Sequence, residues 1–123
     1  MADELQATAQ LAFNKSNARL ASQANVSVTI SGTAYCDATQ SIGTADEVIV
    51  FGDIGTPGYY MLQNLDATNY VDIGFDGATY QIRLAAGTST AGGGICLIPN
   101  NGATVHAKAH TATCNISVRA VAP

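Results

Sequence analysis

The side chains able to do chemistry are few and widely spaced. His106 and His110 are the only histidines. With Lys108 they take alternate positions along one predicted strand, opposite Val105, Ala107 and Ala109, and so face solvent. Four residues of extended chain separate the two rings by about 13 Å, too far to ligate one metal from a single copy. Only a symmetry axis could bring copies together. Asp66, Asp72 and Asp76 surround the loops of one predicted hairpin region. Their oxygens would suit calcium, but no calcium-loop spacing is present, and Asp is what such turns prefer as a capping residue. No carboxylate pair stands out as a general acid and base.

Nucleophilic chemistry has less support still. There is no Gly-x-Ser-x-Gly elbow, and neither histidine has an evident Ser or Cys partner. The run Gly92-Gly-Gly94 is not trailed by Lys-Ser/Thr and is no phosphate cradle. Cys36, Cys96 and Cys114 form an odd set with no Cys-x-x-Cys spacing, so three reduced thiols are expected, with a bridge between two of them as the alternative. Cys114 shares a strand face with Ile116, Val118 and Ala120 and reads as a small core hydrophobe. Asn14, Asn25 and Asn115 each begin a glycosylation acceptor triplet, a motif short enough to recur by chance. The chain therefore reads as a non-enzyme with no cofactor and no metal. Tyr59, Tyr60, Tyr70 and Tyr80 are clustered enough to suggest an aromatic platform for sugars. Since the chain has no Trp, they read instead as core and interface residues. The candidate interaction surface is thus Tyr59, Tyr60, Tyr70, Tyr80, His106, Lys108 and His110.

The elements that must position these residues are strands. A chain of 123 residues, 47% hydrophobic, is one ordinary domain with enough apolar surface for a core. Charged residues make up only 11% and there are twelve glycines, which argues against both a disordered tail and a helical bundle. So weakly charged a surface is adhesive, and part of it is expected to be covered by partners. The net charge is −4 and the five basic residues are scattered, which excludes a phosphate-tracking patch and nucleic-acid binding. No stretch of ~20 apolar residues predicts a membrane span. The start, Met1-Ala-Asp-Glu4, is acidic where a secretory signal is basic, so cytosolic synthesis is expected.

In chain order, residues 4 to 13 fit both strand alternation and helical spacing. With the turn residues 14–17 and the alternating Val26, Val28 and Ile30, they predict a long opening hairpin, an N-terminal helix or arm being the alternative. Residues 35–43 show little periodicity and read as a connection. The unbroken apolar run Val48–Phe51 reads as a strand covered on both faces. Gly55-Thr-Pro-Gly58 reads as a tight turn with Gly58 at positive φ. Strands follow at 59–65 and 71–75, and Asp76-Gly77 then predicts a two-residue hairpin turn into Tyr80–Leu84. Asn101-Gly102 predicts a second such turn between 94–98 and 103–109. Residues 85–94 read as a sheet-changing crossover or a mobile loop, and the last strand runs from about Thr113 to Val121. The total is eight or nine strands without strand-helix alternation, an all-β antiparallel sandwich or jelly-roll-like fold. The expected division is an N-terminal arm or opening hairpin at 1–24 and a sandwich domain at 25–123.

The phrases Ile42-Gly-Thr44, Gly52-Asp-Ile-Gly-Thr-Pro-Gly58, Asn64 to Gly74 and Ala103 to Thr111, in this order, resemble small virion structural proteins of tailed bacteriophages, a group that includes capsid decoration (cement) proteins and tail components. The resemblance covers most of the chain beyond Val26 and carries no defined functional residues. It implies a β-sandwich subunit made in the host cytoplasm and docked on the virion, chiefly on the outer surface of the head. There it would bind the major capsid protein as a homo-oligomer, commonly a trimer. In that setting the sandwich would make the trimer contact and residues 1–24 would reach across capsid subunits. A tail or fibre-associated subunit and a lectin-like carbohydrate-binding module are the alternatives.

Overall fold

A computed structural model describes residues 5–87, 93–99 and 102–123. They form ten strands and a single 3-10 turn at Gly52–Ile54, with every strand pair antiparallel. The chain divides into two compact units, Met1–Gly32 and Thr33–Pro123.

The first unit is a hairpin of β1 (Leu5–Lys15) and β2 (Ala18–Val28), eleven residues each and paired from Leu5↔Val28 to Lys15↔Ala18. Its two-residue turn places Ser16 at φ 52°. Over the described residues 5–13 the strand reading holds over helix because a partner of equal length follows immediately. Residues 25–28 continue β2, so the unit runs past the 1–24 segment expected from sequence. Alternation gives the ribbon two faces. Leu5, Ala7, Ala9, Leu11 and Phe13 lie opposite Val28, Val26, Ala24, Ser22 and Leu20 on one, with Lys15 at the tip. Gln6, Thr8, Gln10, Ala12 and Asn14 lie opposite Ser27, Asn25, Gln23, Ala21 and Arg19 on the other. Val26, expected to be half-buried, is exposed, as are Leu11, Phe13 and Leu20.

The second unit is a sandwich of eight strands. They are β3 (Tyr35–Ile42), β4 (Glu47–Val48), β5 (Tyr59–Asn64), β6 (Val71–Gly74), β7 (Tyr80–Leu84), β8 (Ile95–Pro99), β9 (His106–Ala109) and β10 (Cys114–Val121). One sheet has the order β3-β10-β5-β8 and the other β4-β9-β6-β7. Consecutive strands change sheet except at β6-β7, which is the strand order of a jelly roll. The core lies between the sheets. Ile42, Leu62, Ile116 and Val118 come from the first; Val71, Ile73, Leu84 and Ala107 come from the second, and all are at most 1% exposed. Each such Val, Leu or Ile contributes about 1.5–3 kcal/mol through burial. Cys114, also 1% exposed, joins them on the inward face of β10, and all three cysteines are free thiols.

Several expectations are corrected by this topology. Residues 35–42 are a full strand, not a connection. They pair with β10 along their whole length, from Tyr35↔Val121 to Ile42↔Cys114. The inward face of β3 carries Cys36, Ala38, Gln40 and Ile42 against Asp37, Thr39 and Ser41, an alternation weakened by two small residues and a glutamine. Val48–Phe51 is not covered on both faces: Ile49 and Phe51 are buried, whereas Val48 and Val50 are exposed. The strand itself stops at Val48, after which the Gln40 amide substitutes for a neighbouring strand. Its Nε2 donates to the Val48 carbonyl at 3.1 Å and its Oε1 accepts from the Val50 N–H at 2.9 Å.

Gly58 has no positive φ, a conformation taken instead by Gly55 (φ 74°). What Gly58 provides is closeness, since a Cβ there would lie 2.8 Å from Pro123 Cα. The β6-β7 connection spans residues 75–79, longer than a two-residue turn. Asp76 caps it by accepting the N–H groups of Ala78 and Thr79, both at 2.9 Å. Asn101 lies outside the described residues, but the strands around Asn101-Gly102 are not partners: β8 pairs with β5, and β9 with β4 and β6. The segment 85–94 does connect strands of different sheets; its residues 88–92 lie outside the described residues.

Candidate interaction surface

The outward face of the sheet β4-β9-β6-β7 gathers most of the polar residues singled out above. Register places Asp72 between Lys108 and Arg83, and Gly74 between His106 and Tyr80. The second row exists because the β6-β7 pairing shifts between Ile73 and Gly74. Gly74 is required there, since a Cβ would stand 2.2 Å from the Thr79 carbonyl oxygen and 3.1 Å from Tyr80 Cδ1. The Tyr80 ring thus covers bare backbone.

Tyr80 reaches Asp46, in the connection between β3 and β4, and its hydroxyl donates to Oδ1 in a short hydrogen bond. Asp46 Oδ2 lies 2.9 Å from His106 Nδ1. The hydrogen bond from Tyr80, followed by that from His106, holds the Asp46 carboxyl below the usual carboxylate range. The same bond to Asp46 pushes the Tyr80 phenol up to about 12. An aspartate on an imidazole is the base half of a hydrolytic triad. Here the second group on the carboxylate is a phenol that donates to it, so the arrangement locks a side chain in place. His106, expected to be exposed, is accordingly half-buried, its side chain 17% accessible.

The other end of the face is built on Tyr70. His110 stacks on its ring with centroids 4.3 Å apart and an interplanar angle of 18°. The Arg83 guanidinium carbon lies 3.8 Å from the ring centroid. Arg83 also grips Asp72 with two bonds, Nε to Oδ1 at 2.8 Å and Nη2 to Oδ2 at 3.2 Å, and the carboxylate raises its pKa further. A cation over an exposed aromatic ring contributes about 0.5–1 kcal/mol. Lys108 and His110 are exposed on this face.

Tyr70, Tyr80, His106, Lys108 and His110 therefore belong to one surface. Tyr59 and Tyr60 do not, because they sit on β5 in the other sheet. Tyr60 is 2% exposed, packs its ring 5.2 Å from that of Phe51, and has its phenol pushed up to about 12, first by burial. The four tyrosines thus form no common platform. Asp46, Asp72 and Arg83 complete the face and were missed as members of it from sequence. Asp46 is 34 residues from Tyr80 and 60 from His106, and no local spacing signals such a pair.

Asp66 and Asp76 act as turn caps. Asp66 accepts the N–H groups of Thr68 at 2.9 Å and Asn69 at 2.6 Å, bonds that lower its pKa. Asp76 is lowered in the same way by Thr79 and Ala78. Among the described residues no group of three His, Cys, Asp or Glu side chains could hold a metal ion, and no helix is long and apolar enough to cross a membrane. Comparison of the chain with protein-family models, curated proteins and solved structures returns no match.

Proposed function

We propose that this chain is a non-enzymatic structural subunit of a tailed-phage virion, specifically a head decoration (cement) protein that docks on the major capsid protein at the outer surface of the shell. The observation that carries this reading is the internal pairing of the β4-β9-β6-β7 face. Asp46 is held by His106 and Tyr80, and Asp72 by Arg83, before any partner arrives. A partner can cover these groups without leaving a buried charge unmatched, which is the usual cost of covering a charged surface. Lys108, His110 and the Tyr70 stack remain at the surface as points of contact. The jelly-roll order of the sandwich supports the same reading, since capsid proteins use that architecture, although lectins use it too. The sugar-binding alternative is disfavoured because Tyr60 is buried, Tyr80 is committed to Asp46, and the Tyr70 ring already carries His110 and Arg83.

The test is a high-resolution electron cryomicroscopy map of the particle made by the genome that encodes this chain. Density for the sandwich over capsid subunit junctions, with the β4-β9-β6-β7 face inward, is the expected result. Density only on the tail, or none, overturns it. Lys108→Glu with Tyr70→Ala should reduce binding to undecorated heads at least tenfold while leaving the far-ultraviolet circular dichroism of the free protein unchanged.

A further inference from the structure

The β1-β2 ribbon has an apolar face that nothing within its own unit covers. Leu11 is 65% exposed, Phe13 49%, Leu20 48% and Val26 44%. A two-stranded ribbon is marginally stable alone in water, and one of eleven residue pairs with an open apolar face calls for a second layer. Its face is about 37 Å long, and two strands make it roughly 10 Å wide.

We infer that this face is a self-association surface, occupied by the same face of a second copy packed antiparallel about a twofold axis. Three observations select that occupant. Between Leu5 and Phe13 and their partners the face carries no charged residue, so its cover must be apolar, flat and extended. The ribbon is itself such a surface, and every copy brings it. The ribbon is also polarised in charge: its basic residues, Lys15 and Arg19, stand at the turn, while Asp3 and Glu4 precede Leu5 in sequence. Antiparallel packing keeps the basic turns of the two copies at opposite ends of the pair, whereas parallel packing gathers Lys15 and Arg19 of both copies at one end. The residue sizes agree. A twofold at the Ala9–Ala24 pair puts small side chains on the axis and the Phe13–Leu20 pair against Leu5 and Val28 of the second copy.

The area limits the strength of the pair. Each copy offers roughly 400–500 Å² of face, so the pair covers about 800–1,000 Å² in total, below the lower bound of about 1,200 Å² for stable complexes, and is weak and reversible in solution. This inference goes beyond the virion reading and does not rest on it. It also reverses the division expected from the resemblance, in which residues 1–24 meet the capsid and the sandwich joins the copies.

The test is sedimentation equilibrium of the full chain from about 5 to 500 µM, in reducing buffer at low salt. A monomer–dimer equilibrium is expected. Leu11→Ser with Phe13→Ser should weaken it at least tenfold, with the sandwich monitored by near-ultraviolet circular dichroism. Lys15→Glu with Arg19→Glu keeps the apolar face and should also weaken the pair, the more so at low salt. A wild-type protein monomeric throughout the range overturns the inference, as does dimerisation indifferent to the serine variant. Stronger association of the charge-reversed variant, or a trimer, overturns the antiparallel arrangement. The decoration reading is judged separately by binding to heads, so either proposal can fail alone.

Discussion

Asn64 joins the two sheets, and replacing it with alanine should cost this protein more than any other polar-to-alanine change in the sandwich. The residue ends β5, is 0% exposed, and its Nδ2 donates to the carbonyls of Asn69 at 2.9 Å, Leu84 at 3.0 Å and Ala85 at 3.2 Å. Its Oδ1 accepts the Asp66 N–H at 2.9 Å. Two hydrogens serve three carbonyls, so one donation is shared. No buried side-chain nitrogen or oxygen among the described residues lacks a partner, and Asn64→Ala would remove a partner from four backbone groups at once, of which the Ala85 carbonyl keeps the Gly94 N–H at 2.8 Å. Water entering the space can rescue the outer ones. Each group left dry costs about 1–3 kcal/mol, so a loss of about 3–5 kcal/mol is expected. That is a large share of a domain stability of about 5–15 kcal/mol. In urea, with a slope of about 1.5 kcal/mol/M, the midpoint should fall by roughly 2–3 M. Circular dichroism is the assay, since the chain has no Trp. Asn64→Asp keeps the acceptor and the shape but points a carboxylate at three carbonyl oxygens. It should be at least as damaging at pH 7 and partly relieved in acid, where the protonated acid can donate. Asn115→Ala, at an exposed position of β10, is the control and should fall within about 0.5 kcal/mol of wild type. A loss below about 1 kcal/mol for Asn64→Ala would refute the argument that this amide holds the sheets together.

Other outcomes follow from the same physics. Absorbance titration of the phenols should show a component of about two tyrosines, Tyr60 and Tyr80, ionising at about 12, and Asp46→Asn should remove the Tyr80 half of it. Because these folded-state values lie above the unfolded value of about 10, their contribution to stability is complete below pH ~10 and lost as pH rises toward 12. Asp46, Asp66 and Asp76 have the opposite sign. Their lowered folded-state pKa values give stability present above about pH 4 and lost as pH falls through those values, so Asp76→Ala should raise the acid-unfolding midpoint. The thiols should react slowly with a disulfide reagent in the native state and all three promptly in denaturant, since burial pushes Cys96 to about 11 and raises Cys36 and Cys114. Gly58→Ala must displace the backbone at Ala122 and Pro123 and should destabilise by about 1–3 kcal/mol, measurable by urea denaturation.

The strands with strong alternation or apolar runs were legible, and those without were not. Val71 and Ile73, Ile82 and Leu84, and Cys114–Val121 each carry their inward residues at every second position, so both the element and its buried face could be read directly; Tyr80 departs from that alternation because of the register shift. Tyr35–Ile42 was not, because an edge strand whose inward positions are the small Cys36 and Ala38 and the polar Gln40 before Ile42 looks like a loop until β10 is laid beside it. The turn dipeptides Asp76-Gly77 and Asn101-Gly102 marked chain reversals but not their partners. The first lies in a five-residue loop capped by Asp76, and the strands around the second belong to different sheets. The polar face was half legible: alternation set His106, Lys108 and His110 outward together, but the pairing of His106 with Asp46 depends on contact across 60 residues.

Taken alone, the amino-acid order determined that the chain is all-β, that one face of most strands is buried, and that His106, Lys108 and His110 share the other face of theirs. These are local properties, set by side-chain alternation along extended backbone and by turn residues. Tertiary structure alone decided which strands are neighbours, that Tyr60 lies inside while Tyr70 and Tyr80 join the polar face, and that Asn64 joins two sheets. It also left Leu11, Phe13, Leu20 and Val26 of the β1-β2 ribbon exposed. Such outcomes depend on long-range register, where a neighbour's identity is set by how both sheets jointly bury their inward faces, and no short window of sequence contains that information.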